Sequence, residues 1–174
     1  MQLLRELLPN VTRFGFLADP TVPNIQSIIA DQAAALTLGL QIVVANARTD
    51  SDLETAFASF SQQGVGAVLV GQSTFFVRRM EQLAALAAGH SLPAMFPYRE
   101  YAMAGGLMSY GSNHGNAIHQ AGIYTGRILK GEKPADLPVQ QITKIELIIN
   151  LKTAKALGLT IPETLLATAD EMIQ

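Results

Sequence analysis

Short apolar runs alternate along the chain with longer stretches in which apolar residues recur every three or four positions. The apolar runs predict buried strands at residues 11–17, 40–45, 67–70 and 94–96. The longer stretches predict helices at residues 24–38, 50–63 and 74–88, because residues three and four apart share one face of a helix. Strands alternating with helices imply right-handed crossovers and a parallel sheet covered on both faces. The pattern therefore predicts a doubly wound α/β fold, a Rossmann-like or flavodoxin-like layer.

Capping residues and glycines indicate where these helices begin and end. Asp50 or Ser51 is placed to cap the second helix, with Glu54 completing a capping box from Ser51. Gly39 and Gly64 follow two of the helices, and glycine adopts the left-handed conformation that ends a helix at little cost.

Beyond residue 105 the predicted elements are more varied. They are a short strand, a helix, an extended connector, a half-exposed strand and a final helix, at residues 106–110, 115–130, 131–138, 144–149 and 151–157. Alternation of apolar and polar residues predicts the half-exposed strand. Asn150 is placed to cap the last helix and Gly158 to end it.

Composition limits the classes of partner. A length of 174 residues suits one domain with a substantial core. No apolar run is long enough to span a bilayer, so we expect no direct membrane insertion. The net charge of −2 and the scattered basic residues argue against nucleic acid. Because the chain has no cysteine, disulfides, thiolate catalysis and zinc–thiolate sites are excluded.

Polar residues follow three of the predicted strands, and ligands of open α/β sheets bind beyond the carboxyl ends of strands. The first such loop contains Asp19, Thr21 and Asn24. Thr21 and Asn24 offer donors beside a helix N-terminus, which favours an anion such as a carboxylate. The alternative is that Asp19 belongs to an ordinary turn and that Asn24 is an ordinary helix cap.

The second loop combines polar residues with two aromatic rings. It contains Gln72, and Ser73 or Thr74 would cap the helix that follows. Phe75 and Phe76 would wall a pocket for an apolar or aromatic ligand whose charged end meets the capped helix. The alternative is that one ring packs in the core and the other is incidental.

The third loop contains Tyr98, Arg99 and Glu100. An arginine can hold a carboxylate through two parallel hydrogen bonds, and a carboxylate can hold an ammonium group. Arg99 and Glu100 together would therefore suit an amino-acid zwitterion. The alternative is a local ion pair or a hinge contact that touches no ligand.

The sequence lacks the usual signatures of an enzyme. It contains no glycine-rich dinucleotide fingerprint, no phosphate loop with lysine and no serine elbow. His114 and His119 are five residues apart, which does not place them on one helical face for a metal. His90 follows a helix and is interpreted as its C-terminal cap. We expect no catalytic residue, no bound metal and no cofactor.

Several longer blocks resemble one protein family in their order and spacing. They are residues 4–9, 96–111, 126–138 and 146–162. These blocks resemble the ABC-transporter substrate-binding proteins, in the group that includes the tryptophan-binding type. The resemblance extends over nearly every residue of the chain and says little about the ligand.

The resemblance implies a type I periplasmic binding protein, which has two lobes and an export signal. The first residues contain no basic segment followed by an apolar stretch, so we expect no signal peptide in this chain, although the family implies a periplasmic location. By analogy, residues 1–108 and 139–174 form the C-terminal lobe. Residues 109–138 are then a crossover strand and helix that pack with the other lobe. Ser109 and Tyr110 would offer a hydroxyl from this hinge.

The implied function is binding without chemistry. Such a protein would close its lobes on a small amino acid or related organic solute and present it to an ABC permease. One alternative is the ligand-sensing domain of a sugar-repressor-like transcription regulator, which would need a helix-turn-helix segment upstream. A second alternative is a small flavodoxin-like enzyme, which a bound phosphate or flavin would favour.

The helix at residues 115–130 bears on oligomeric state. Without another lobe it would expose an apolar stripe formed by Ile118, Ala121, Ile123, Ile128 and Leu129. Exposed apolar patches tend to be buried by association. We therefore expect a homodimer formed through this helix.

Overall fold

The computed structural model describes residues 1–22, 35–36, 39–139 and 145–174. In these residues seven strands form one sheet. The strands are β1 (Arg13–Ala18), β2 (Gln41–Asn46), β3 (Ala67–Val70), β4 (Ala94–Phe96), β5 (Met108–Ser112), β6 (Ile145–Asn150) and β7 (Glu171–Ile173). Their order across the sheet is β2–β1–β3–β4–β5–β6–β7.

The structure describes helices on both faces of this sheet, and each of them except the helix His114–Leu129 contributes buried residues to the core. They are α1 (Gln2–Leu7), α2 (Asp50–Gln62), α3 (Thr74–Val77), α4 (Met80–Gly89), α5 (Arg99–Met103), α6 (His114–Leu129), α7 (Leu151–Ala156) and α8 (Glu163–Thr168). A short 3-10 helix at Pro134–Asp136 follows α6. None of these helices has the length and apolar character needed to cross a membrane.

The sheet is mostly parallel, which confirms the predicted α/β class. Neighbouring strands from β2 to β5 run parallel. The β5–β6 pair is antiparallel, with Gly111 opposite Glu146, and β7 runs parallel to β6. β5 ends at Ser112 and β6 begins at Ile145, which lies opposite Ser112. Because β6 starts beside the end of β5, it runs in the opposite direction. The parallel arrangement predicted from the alternating elements is confirmed from β1 to β4, and the antiparallel β6 lies in the part of the chain for which no strand direction was predicted.

The half-exposed strand predicted around residues 144–149 is corrected. Ile145 is exposed, but the other five residues of β6 are buried. The reason is that elements cover both faces of β6: Leu147 and Ile149 pack in an apolar cluster on one face, and Asn150 on the other face donates to the carbonyl of Ala102 in α5. The short strand β7 follows α8 and carries no periodic pattern of its own, so the sequence did not predict it.

Two apolar clusters lie on opposite faces of the sheet. The first is built around aromatic rings and includes Phe57, Phe60, Phe76, Phe96 and Tyr101. The second includes Leu4, Phe14, Met95, Met108, Ile149 and Leu165. Burial of both faces is the expected property of a sheet with crossover helices on either side.

The N-terminal cap of α2 lies earlier than the sequence predicted. Thr49 Oγ1 accepts from the backbone N–H of Asp52 at 3.1 Å, and Asp52 Oδ2 accepts from the N–H of Thr49 at 2.9 Å. This is a complete capping box. The predicted cap at Asp50 or Ser51 with Glu54 is wrong, because the Thr49–Asp52 pair has the same spacing and precedes both candidates.

Other helix boundaries follow the sequence more closely. Gly64 and Gly158 have positive φ angles at the helix ends they were predicted to mark, and Gly39 also has a positive φ angle. Asn150 caps α7 by accepting from the N–H of Thr153 at 2.9 Å. The helix predicted at 115–130 is confirmed by α6, and the one at 74–88 consists of two helices, α3 and α4. The helix predicted at 24–38 lies outside the described residues except at 35–36.

The two adjacent phenylalanines of α3 differ in burial, which allows a stability prediction. The Phe76 ring is fully buried in the first cluster, whereas Phe75 is half-buried. We expect Phe76→Ala to lower the free energy of unfolding by about 3–5 kcal/mol, because it leaves a cavity in the core. Phe75→Ala is the matched control and should cost clearly less. Urea denaturation checks both, and equal losses would contradict the assignment.

Candidate functional site

A cavity of about 590 Å³ lies beyond the carboxyl ends of β3 and β4. We call it the strand-end cavity. Its walls come from the loop after β3, from α3 and α4, and from the first residues of α5 and α6. The lining residues are Gln72, Ser73, Thr74, Val77, Met80, Tyr98, Glu100, Gly115 and Ile118. A volume of this size is typical of small-molecule sites.

The cavity brings together residues that the sequence placed in two separate loops. Gln72, Ser73 and Thr74 come from the predicted second loop, and Tyr98 and Glu100 come from the third. They meet because β3 and β4 are neighbouring parallel strands, so the segments that follow them emerge at the same edge of the sheet.

The first predicted loop contacts the cavity wall through Ser73. Asp19 Oδ1 accepts from Thr21, at 2.9 Å from the backbone N–H and 2.7 Å from Oγ1. Asp19 Oδ2 accepts from Ser73 Oγ at 2.5 Å. The polar atoms of Asp19 and Thr21 are therefore hydrogen-bonded to each other and to Ser73. Asn24, the third candidate of this loop, lies outside the described residues.

Ser73 has two roles in this arrangement. Its Oγ donates to Asp19 and accepts from the backbone N–H of Phe75 at 3.0 Å, which makes Ser73 the N-cap of α3. The prediction that Ser73 or Thr74 caps this helix is confirmed for Ser73. Thr74, one residue later, is exposed on the cavity wall.

The environment of Asp19 favours its ionised form. Burial by itself raises the pKa of this carboxyl, which is only 5% exposed. The hydrogen bonds from Ser73 and Thr21, with a smaller contribution from the charge of Arg48, outweigh burial and hold the pKa below its usual range. Asp19 is therefore a charged anchor at neutral pH.

The aromatic pair of the second loop does not wall the cavity. Phe76 is in the core, and Phe75 lies under the guanidinium of Arg79, whose Cζ is 4.1 Å from the ring centroid. Arg79 in turn pairs with Asp50. Within the described residues neither ring lines the strand-end cavity. This geometry matches the alternative that one ring is core and the other is incidental to a ligand.

A different aromatic group leads from the core to the cavity. The Phe96 and Tyr101 rings stack with centroids 4.9 Å apart, and the Tyr101 and Tyr98 rings follow at 6.4 Å. Tyr98 lines the cavity. Burial, and then the charge of Glu100, raise the pKa of the Tyr98 phenol, so it is neutral at physiological pH.

Arg99 and Glu100 are adjacent on α5 but face different surroundings. Arg99 Nη2 donates to Glu171 Oε2 at 2.7 Å, and its Nη1 is 3.8 Å from Glu146 Oε2. Arg99 does not line the strand-end cavity, whereas Glu100 does. The guanidinium is therefore paired with carboxylates of β6 and β7, which are distant in the chain.

The two candidates from β5 also separate. Ser109 is buried, and its Oγ has no hydrogen-bond partner among the described residues. Tyr110 is 48% exposed and lines a second cavity of about 440 Å³ together with Met1, Phe16 and Gln72. The alternation of side chains along a strand places neighbours on opposite faces. Of this pair, only Tyr110 presents its side chain to a cavity described here.

Sequence reasoning missed the apolar part of the cavity wall. Val77 and Met80 follow Thr74 at three-residue intervals, a helical spacing that was present in the sequence as a signal. Gly115 and Ile118 come from α6, some forty positions further on. No local pattern connects them with the β3 loop. Within the described residues no group of three His, Asp or Glu side chains is placed to hold a metal.

Comparison with known proteins identifies the family. The family model "ABC transporter substrate binding protein" matches residues 1–173. The chain therefore belongs to the ABC transporter substrate-binding protein family. No curated protein matches the chain.

Solved structures agree with this assignment. A conserved domain protein from Vibrio cholerae is 27% identical with a TM-score of 0.83, over 98% of this chain and 58% of its own. An ABC domain from Streptococcus pneumoniae, solved in complex with L-Trp, is 25% identical with a TM-score of 0.83, over 99% and 60%.

A third structure supports the fold alone. The ligand-free, open substrate-binding protein CD0873 from Clostridium difficile is 20% identical with a TM-score of 0.71, over 99% of this chain and 58% of its own. The chain thus spans 58–60% of the length of these structures.

The pKa of Asp19 leads to a prediction about pH. A carboxyl whose folded pKa is depressed adds stability above its unfolded pKa of about 3.9, and this stability is lost as pH falls through the folded value. We expect Asp19→Asn to lower the unfolding free energy at pH 7 by about 1–3 kcal/mol, and the difference from the native chain to shrink below pH 4.

Urea denaturation between pH 7 and pH 3 measures this difference. Asp136→Asn removes an exposed carboxylate and serves as the matched control. A stability difference for Asp19→Asn that does not change across this pH range would contradict the role assigned to the carboxylate.

Proposed function

We propose that this chain is the ligand-contacting lobe of a substrate-binding protein that delivers a small amino-acid-like solute to an ABC permease. The observation that carries the proposal is the strand-end cavity, at the sheet edge where α/β proteins bind ligands. Membership of the substrate-binding family supports it over the regulator and the flavodoxin-like enzyme. The protein would act outside the cytoplasmic membrane.

The division of the chain into lobe and crossover is part of this proposal. Residues 1–108 and 139–174 form the lobe, and residues 109–138 cross to another lobe that closes the cavity. What supports this is α6, in which every side chain described is at least partly exposed. A helix with apolar residues and no buried face is expected to have a partner.

Contacts at the start of α6 would transmit closure. Asn113 Oδ1 caps α6 through the N–H of Asn116 at 3.0 Å, while its Nδ2 donates to Glu146 at 3.1 and 3.3 Å. Glu146 is close to Arg99 as well. The helix is therefore tied to the sheet at one end, beside the cavity. Ligand contacts to both lobes would shift an open–closed equilibrium, and no chemical step is involved.

A solute screen tests the proposal. The ¹⁵N-labelled chain is titrated with the twenty amino acids and with sugars, and amide shifts are followed because one lobe binds weakly. We expect amino acids to shift the amides of residues 71–74 and 98–100, since these border the cavity. Shifts caused only by sugars, or amino-acid shifts confined to other regions, would contradict the proposal.

We also propose that, where no other lobe covers it, the exposed face of α6 forms a homodimer through residues 115–130. Leu129 is 83% exposed, and Ile118 is 66% exposed. We expect light scattering to give twice the chain mass, and Leu129→Lys to give a monomer. Gln120→Lys adds the same charge at an exposed polar position of the helix and should leave the dimer intact. A native chain that is monomeric at high concentration would contradict the dimer.

A further inference from the structure

The charges around the strand-end cavity are unequal. Glu100 is the one charged residue that lines it in the part of the chain the structure describes, and no Lys, Arg or His joins it there. The remaining walls are neutral and polar at Gln72 and Ser73, or apolar at Met80 and Ile118. A carboxylate ligand would therefore meet a like charge and no cation among the described wall residues.

The carboxylate of Glu100 is available to pair with a ligand. It forms no hydrogen bond or ion pair with any side chain of the described residues. It is half-buried, in a position where an opposite charge interacts more strongly than on an open surface. An incoming cation would therefore find an unneutralised partner beside apolar walls.

Nearby arginines leave this carboxylate unpaired. Arg99 is held by Glu171 and lies near Glu146, and Arg79 is held by Asp50 and stacked on a phenylalanine. Arg78 shares a neighbouring groove with Glu100 but makes no ion pair with it within the described residues.

Tyr98 adds a second feature that favours a cation. Its ring lines the cavity two residues before Glu100, at the outer end of the stack formed with Tyr101 and Phe96. An aromatic face attracts a cation through its quadrupole, more strongly where water is excluded. A carboxylate and an aromatic ring on one wall form a pair suited to an ammonium group.

We propose that this lobe recognises the positively charged nitrogen of its ligand, with Glu100 as the ion-pair partner and Tyr98 as the aromatic neighbour. The ligand class is then organic amines, including amino acids and amines without a carboxylate. Carboxylic acids without an amine are excluded. This inference rests on the proposed function, because it assumes that the strand-end cavity is the solute site.

Matched probes separate the two charged ends of a ligand. Tryptamine carries an amine and no carboxylate, indole-3-propionic acid carries a carboxylate and no amine, and both share the indole ring. n-Butylamine tests the amine without a ring. Each is titrated into the ¹⁵N-labelled native chain at pH 7, and the amides of residues 71–74 and 98–100 report binding at the cavity.

We expect both amines to shift these amides and tryptamine to bind at least about tenfold more tightly than indole-3-propionic acid, because a charge-assisted contact has that magnitude. Glu100→Gln should remove this preference while the spectrum remains that of a folded chain. Glu81→Gln, which removes an exposed carboxylate on α4 that does not line the cavity, should retain it.

The outcomes distinguish this inference from the function on which it rests. Equal or tighter binding of indole-3-propionic acid overturns the inference, as does a preference that persists in Glu100→Gln. Amines that leave the cavity amides unshifted overturn it too. If the amines leave these amides unshifted but amino acids shift them, the proposed function stands and only the ammonium inference fails. If neither amines nor amino acids shift them, the proposed function fails as well.

Discussion

The hydrogen bond between Ser73 and Asp19 is the contact on which the site depends. It joins the end of β1 to the start of α3, and the two residues are 54 positions apart in the chain. Because Ser73 also caps α3, one buried carboxylate positions the helix start and the cavity wall together. A carboxylate held by several donors stays ionised and rigid, and this gives the polar side of the cavity a defined geometry.

The two charged residues at the start of the short helix α5 have different surroundings. Arg99 faces Glu171 and Glu146 and links α5 to the last two strands. Glu100, one residue later, is turned by about 100° on the helix and borders the cavity. Had Arg99 bordered the cavity instead, the wall would carry a positive charge. Arg99 is turned away from the cavity because its ion-pair partners lie on β6 and β7.

Local patterns were sufficient to predict much of the fold. The first four strands, α2, α6 and α7 correspond to predicted elements, and the caps at Ser73 and Asn150 were identified. The carboxyl ends of β3 and β4 were predicted as binding loops, and Gln72, Thr74, Tyr98 and Glu100 do meet at one cavity. These features were predictable because periodicity and capping depend on neighbours within a few residues.

Tertiary structure alone decided the rest. The direction of β6 and the presence of β7 depend on where the chain re-enters the sheet, and which of Phe75 and Phe76 is buried depends on the packing of α3 against the first cluster. The partners of Asp19 and Arg99 are likewise distant in the chain. Sequence determined which residues would be polar at the strand ends. The sheet order determined whether they would border a cavity or bond to each other, because hydrogen bonds and ion pairs form with whatever the fold brings within reach.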